Sequence, residues 1–265
     1  MCRAVAVSCE KVGRVAVLRL NRPEDGNTLS RDVLAGLQFH LNSIAAEPTV
    51  RAAVLTGTGP NFSLGGDFGE FAEALSGDES FGRTYCASRT EALADVVASL
   101  YELPFPMIAA VNGQAAGAGF SITLACDVRI AETRTRFHFA YGTLGASTDG
   151  GMSWLLPRVV GPGKAMSMLL EQPIIRAKTA LELGLVTEIV STPELDERAI
   201  AMALSLASNA PHSNQAAKRL LRAGEFRSLQ DHMNDEHETF ADGLMSADMR
   251  RALVARDRGE MPTFD

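Results

Sequence analysis

Short alternating runs of apolar and β-branched residues at 4–8 and 15–20 flank Lys11-Val-Gly13-Arg14, a pattern that predicts an opening hairpin. Ser30 then precedes a stretch in which Leu34, Leu37, Leu41 and Ile44 recur at helical spacing. With Asp32 in the first turn and Pro48 beyond the end, a capped amphipathic helix is expected there. Residues 52–56 are continuously apolar and read as a buried strand. Helical spacing returns at 91–103 through Leu93, Val96, Val97 and Leu100, and Pro104 and Pro106 stop it. Residues 107–111 predict the next strand, and 128–131 with 137–139 open a third unit ahead of Gly150-Gly151. Strands alternating with helices imply an α/β class with crossover connections. From Glu194 onward only helical periodicity remains, at 194–209, 213–222, 228–244 and 247–258. We therefore expect a core over 1–195 and a C-terminal helical region over 196–265. A helical hairpin cannot bury both of its faces alone, so that region is expected to cover a ligand or pack against another subunit.

Two glycine-rich stretches punctuate this pattern, each directly after an apolar run: Phe62-Ser-Leu-Gly-Gly-Asp67 and Asn112-Gly-Gln-Ala-Ala-Gly-Ala-Gly-Phe120. Each presents bare backbone N–H groups at the end of a predicted strand. Two aimed N–H groups suit an oxygen on which negative charge develops, and a preorganised donor of that kind contributes roughly 3 kcal/mol in a dry site. A tight turn with no chemical role is the alternative for any single glycine-rich loop.

Composition narrows the classes. The 265 residues are 46% apolar with a net charge of -7, enough for a substantial core and without the clustered cationic face that nucleic acid requires. Cys2, Cys9, Cys86 and Cys126 show no Cys-x-x-Cys spacing and read as free thiols of a reducing compartment. Residues 1–8 are too short in apolar length for a signal peptide, and no run approaches the roughly 20 apolar residues of a membrane span, so a cytoplasmic location with no membrane partner is expected. Gly113, Gly117 and Gly119 lack the spacing of a dinucleotide-binding fingerprint. His232 and His237, near Glu236, do not share a helical face, and no metal site is expected from them.

Taken together, the motifs resemble the crotonase (enoyl-CoA hydratase/isomerase) superfamily over nearly the whole chain. Asn21-Arg-Pro-Glu-Asp-Gly-Asn-Thr-Leu29 resembles that family's first coenzyme A loop, and Phe62 to Asp67 its first oxyanion segment. Val111-Asn-Gly-Gln-Ala-Ala-Gly-Ala-Gly119 with Cys126-Asp-Val-Arg-Ile-Ala131 resembles the second. Leu156-Pro-Arg-Val-Val-Gly161 and Ala177-Lys-Thr-Ala-Leu-Glu-Leu-Gly-Leu-Val186 also match in kind. The resemblance implies a spiral of repeated β-β-α units, a C-terminal helical trimerisation region, acyl-CoA thioester substrates and a homotrimer or dimer of trimers. No separate cofactor is implied, because coenzyme A is part of the substrate.

Carried onto this chain, the oxyanion donors would be the N–H groups of Gly66 and Ala118. The family's hydratases use two carboxylates, at positions occupied here by Ser121 and Tyr141, so ordinary hydration lacks its usual acid and base. Asp149, in Ser147-Thr-Asp-Gly-Gly-Met152, falls where the isomerases and dehalogenating hydrolases carry a carboxylate. Its other reading is the N-cap of the helix that follows. Burial would raise its pKa and a helix N-terminus would lower it. A single carboxylate suits a proton shuttle that moves a double bond, with Tyr141 either positioning or hydrogen-bonding the acyl group or simply lining the core. Hydration, hydrolysis or dehalogenation with Asp149 as nucleophile, and acyl-CoA binding without turnover remain the alternatives. The dehalogenase reading is weakened by Ala94, which stands where those enzymes place a histidine.

Coenzyme A would lie along the backbone of Glu24, Asp25 and Gly26 and of Leu64, Gly65, Asp67 and Phe68, with Gly117 also in the substrate-binding set, and Lys218 and Arg219 are either phosphate partners or part of a solvated helical face. The acyl pocket is expected between the 70–89 segment and the tail helices. Asp127 is expected to be a satisfied structural carboxylate, and Ser121 a helical serine bonded back to its own backbone.

Overall fold

The computed structural model describes residues 5–224 and 226–264. The chain opens with a hairpin of β1 (Val7–Val12) and β2 (Val15–Leu20). The first strand thus lies further along the chain than the 4–8 run predicts, and Ala4 falls outside the described residues. The reason is the turn: Gly13, at φ +60°, and Arg14 make a two-residue connection, so Lys11 and Val12 pair with Ala16 and Val15 instead of forming the bend. Helix α1 (Arg31–Ala45) is capped by the Ser30 hydroxyl, which accepts from Val33 N, and it buries Leu34, Leu37, Leu41 and Ile44 as the spacing predicts.

There follow β3 (Ala52–Gly57), α2 (Phe68–Ser76), α3 (Glu79–Glu102) and β4 (Met107–Val111). Helix α3 begins well before residue 91, because Asp78 caps it by accepting from Phe81 N at 2.8 Å. Its first turns are largely polar and carry no apolar stripe, so the 70–89 segment is helical where periodicity alone shows nothing. Next come β5 (Gln114–Ala116), α4 (Ala118–Ala125), β6 (Val128–Glu132) and β7 (Arg136–His138). After them lie α5 (Met152–Val160), α6 (Pro162–Glu171), β8 (Ile175–Arg176), α7 (Ala177–Glu182) and β9 (Glu188–Val190). Four helices close the chain: α8 (Leu195–Ala207), α9 (Pro211–Gly224), α10 (Leu229–Leu244) and α11 (Ala247–Asp257).

The main sheet has six strands in the order β1-β2-β3-β4-β6-β9, antiparallel only between β1 and β2, while β5, β7 and β8 form a smaller second sheet. Both faces of the main sheet are covered, which is why β3 and β4 are apolar at nearly every position. The two-residue period sorts them: Leu18, Ala53, Leu55, Met107 and Ala109 face the large core under α1 and α3. Val17, Val54, Ile108 and Ala110 face α8, which meets them with Leu195, Ala199, Ala203 and Ala207. The alanines recur every four residues, so the helix approaches the sheet closely. Helix α8, which falls in the C-terminal helical region by sequence, therefore packs directly on the main sheet.

Asp127, just before β6, ties that tail down. Its Oδ2 accepts from Met107 N at 2.8 Å and from Lys218 Nζ at 2.8 Å, and its Oδ1 accepts from Arg222 Nη2 at 2.6 Å. Lys218 also donates to the Phe105 carbonyl at 3.1 Å, and the Arg222 guanidinium lies 3.6 Å from the centre of the Tyr101 ring. Among the described residues Cys9, Cys86 and Cys126 are free thiols, and Cys2 lies outside them. Burial pushes the Cys126 thiol up to about 12, which makes it an inert packing residue. No helix among the described residues is long and apolar enough to cross a membrane.

Replacing Asp127 by alanine leaves two partly buried cations without their anion. Breaking such a cluster is expected to cost about 2 kcal/mol, somewhat less than for a fully buried pair. Chemical denaturation of Asp127→Ala should show a lower midpoint, with α9 losing amide protection first. An unchanged midpoint would contradict the anchoring role.

Candidate active site

Both glycine-rich stretches leave the C-terminal ends of parallel strands, the edge at which open α/β sheets present ligand sites. The two run side by side. Phe62 N donates to Asn112 O at 2.7 Å, Ser63 N to Gln114 O at 3.1 Å, and Ala116 N to Ser63 O at 2.9 Å, with Ser63 and Ala115 bridged in parallel. Leu64 N donates to Gly26 O at 3.0 Å and Leu29 N to Gly65 O at 2.7 Å, which binds the 21–29 loop to the same segment. Asn27, fully buried, secures that loop: its Oδ1 accepts from Arg22 N at 2.8 Å and its Nδ2 donates to the carbonyls of Thr58 and Asn61.

Gly65 shows how closely the stretches meet. Its φ is +88°, and a Cβ there would lie 2.5 Å from the Ala116 carbonyl oxygen and 3.4 Å from Ala118 N. Only glycine fits. The neighbouring N–H groups of Gly66 and Ala118 have no acceptor among the described residues. Ala118 is the first residue of α4, so its N–H is one of the donors that a helix N-terminus leaves free. Gly117, with φ +49°, makes the turn into that helix.

A carboxylate cluster lies alongside. The Tyr141 hydroxyl donates to Asp149 Oδ1 at 3.0 Å, the Ser121 hydroxyl donates to the Asp149 carbonyl at 3.0 Å, and the two hydroxyl oxygens are 3.3 Å apart. Ser121 and Tyr141 are buried and Asp149 is partly so. Gly150, at φ +55°, permits this approach, since a Cβ there would lie 2.9 Å from the Ser121 Cβ. The cap of α5 is Gly151 with no side-chain bond, so Asp149 does not cap the helix. Burial holds the Asp149 carboxyl above the ordinary carboxylate range, opposed by the Tyr141 hydrogen bond and by the charge of Arg89. Burial and the Asp149 charge also raise the Tyr141 phenol, so it remains a donor near neutral pH.

The other predicted site residues take the following positions. Ser121 bonds back to Gly117 O only weakly, at 3.4 Å, and its shorter contacts are within the cluster. Glu24 and Asp25 are exposed on a 3-10 turn closed by Gly26, while Leu64 and Phe68 stand at the rim. The Asp67 carboxylate caps α2 through Glu70 N at 3.0 Å and accepts from the Thr28 hydroxyl at 3.1 Å. Lys218 does not reach the glycine loops in this chain: Asp127 and the Phe105 carbonyl hold it at the opposite end of β4.

Arg89 escaped the sequence reading. It lies on α3, is 3% exposed, and donates from Nη2 to the Leu29 carbonyl at 2.9 Å with its plane 4.8 Å from the Phe71 ring centre. A Cβ at Gly66 would lie 3.5 Å from Nη2, which places the guanidinium beside that residue. The signal was its spacing, since residue 89 shares the helix face of Leu93, Val96, Val97 and Leu100.

Comparison with known proteins agrees with this architecture. The family model described as enoyl-CoA hydratase/isomerase matches residues 10–260, and the chain belongs to that family. A short-chain-enoyl-CoA hydratase of Clostridium acetobutylicum is 33% identical over 94% of this chain and 93% of its own length. The 2,3-dehydroadipyl-CoA hydratase of Escherichia coli is 32% identical over 95% of each chain. Among solved structures, an enoyl-CoA hydratase from Polaromonas sp. JS666 superposes with a TM-score of 0.91 at 30% identity, covering 98% of this chain and 99% of that one. The fold is thus the crotonase fold.

The site geometry predicts the effect of Tyr141→Phe. Losing a hydrogen bond to the ionised form should raise the Asp149 pKa further, read as a carboxyl titration by carbon-13 NMR. A titration that stays in place would contradict the contact.

Proposed function

We propose that this family member is an acyl-CoA isomerase that shifts a double bond in an enoyl-CoA thioester, with Asp149 as the acid and base. One observation carries the reading. The residues at both positions where the resemblance places the hydratase carboxylates, Ser121 and Tyr141, contact one and the same aspartate. A carboxylate pair is replaced by one carboxylate that accepts from the Tyr141 hydroxyl, while the Ser121 hydroxyl holds the main-chain carbonyl of the same residue, a set suited to carrying a proton between two carbons.

In this scheme the thioester oxygen of a 3-enoyl-CoA accepts hydrogen bonds from the N–H groups of Gly66 and Ala118, which form an oxyanion hole. Ionised Asp149 takes a proton from C2, and the electron pair of that C–H bond delocalises onto the thioester oxygen. The dienolate is stabilised where its charge resides, at roughly 3 kcal/mol per donor. Protonated Asp149 then returns the proton to C4, leaving the double bond between C2 and C3. The raised pKa of Asp149 helps the abstraction step, because a base closer to the carbon acid captures its proton more readily. Tyr141 keeps the carboxylate oriented through both steps.

Coenzyme A is assigned to the backbone of Glu24 to Gly26 and of Leu64 to Phe68, with no separate cofactor. The reading includes a cytoplasmic trimer or dimer of trimers. Hydration is the second reading, favoured by the printed activities of the Clostridium acetobutylicum and Escherichia coli relatives. It requires the same aspartate to activate water.

The two separate in heavy water on a panel of 2-enoyl- and 3-enoyl-CoA thioesters followed by mass spectrometry. Isomerisation predicts double-bond migration with deuterium entering C2 or C4, and Asp149→Asn should lower turnover by about 10²- to 10⁴-fold while acyl-CoA affinity persists. Because a base must be ionised, activity should rise with pH through a pKa above the ordinary aspartate value. A water adduct formed without migration would overturn the assignment.

A further inference from the structure

The Arg89 guanidinium takes no part in the scheme above, yet its position is costly. A permanently charged side chain this deep is ordinarily found against a carboxylate. Here no carboxylate lies within salt-bridge distance among the described residues. Nη2 donates to a neutral carbonyl, the plane lies over Phe71, and Nε is buried with no acceptor. Its charge reaches the site on two sides: Nη2 lies beside Gly66, and Asp149 is within its electrostatic reach.

We propose that Arg89 is the fixed counter-ion of the single negative charge that moves during the reaction, a positioning residue acting on both Asp149 and the thioester oxygen at Gly66. This rests on the reading of Asp149 as the acid and base. Before proton transfer the charge is on the Asp149 carboxylate. As the O–H bond forms there and the C2–H bond breaks, the electron pair moves to the thioester oxygen, and Asp149 becomes neutral. The site therefore holds one negative charge throughout, and a buried cation that lies beside Gly66 and acts electrostatically on Asp149 favours both of its locations without moving. Such a cation also explains how a carboxylate among apolar neighbours stays ionised enough to act as a base.

The groups that act on Asp149 are few. Tyr141 faces it from the loop after β7, Ser121 from α4 and Arg89 from α3. Removing the charge at 89 should therefore register on Asp149 without substrate present. The experiment compares Arg89→Met with Arg89→Lys, which keeps the charge. Arg89→Gln, which keeps a donor for the Leu29 carbonyl, replaces the methionine variant if that one fails to fold. The Asp149 carboxyl, identified by its loss in Asp149→Asn, is titrated by carbon-13 NMR in the free protein, and double-bond migration is assayed in parallel.

The expected result is an Asp149 titration displaced to higher pH in Arg89→Met and close to wild type in Arg89→Lys. Turnover should fall by about 100-fold or more in the methionine variant with KM little changed. An unmoved titration, or a raised KM at unchanged kcat, would overturn the proposal in favour of a packing role. If the titration follows the charge while wild-type protein migrates no double bond, the isomerase reading fails and the coupling of Arg89 to Asp149 stands.

Discussion

The parallel contact between the two glycine-rich stretches is the constraint on which the site depends. Each is anchored at the end of a buried strand, and three backbone hydrogen bonds lock residues 62–63 to residues 112–116. Two or three residues further along the two segments stand Gly66 and Ala118, whose N–H groups find no acceptor among the described residues. The close approach at Gly65 leaves no room for a side chain, so the pairing and the free donors come as a unit. The 21–29 loop is bonded onto the same segment through Gly26 and Leu29, which gives the edge with the free donors and the adjacent loop a common rigid support.

Electrostatics then decide what that support can do. Burial alone would discharge Asp149, and two influences work against it: the phenol of Tyr141, a short-range hydrogen-bond donor, and Arg89, a longer-range charge. The result is a carboxyl held above its ordinary range, by less than burial alone would impose. Tyr141 is itself held protonated by the carboxylate it serves, so the pair reinforces one protonation pattern. The cationic cluster at Asp127 answers a different need, at the far end of β4, and joins the tail to the core.

Legibility in the sequence followed local physics. Strands β2, β3 and β4 and helix α1 were plain because burial on one or both faces wrote a period of two, a continuous apolar run or a 3.6-residue stripe. The start of α3 was not, because a polar helical surface carries no stripe and only the Asp78 cap marks it. Helix α8 looked like part of the appendage, since an amphipathic helix does not announce which surface it covers. At the site, the two glycine stretches and Asp149 stand out in the sequence by their motifs, whereas the partners of Ser121 come from residues 141 and 149 and no local pattern announces them. A cation on an apolar helix face signals Arg89, and the Asp127 anion that holds Lys218 is distant in sequence and leaves no local trace.

Infrared difference spectroscopy of an acyl-CoA labelled with carbon-13 at the thioester carbonyl reports whether its oxygen lodges between the N–H groups of residues 66 and 118. With the oxygen lodged there, the carbonyl stretch moves to lower frequency on binding, and the displacement is retained in Asp149→Asn. A bound carbonyl that absorbs as it does in water would contradict that placement.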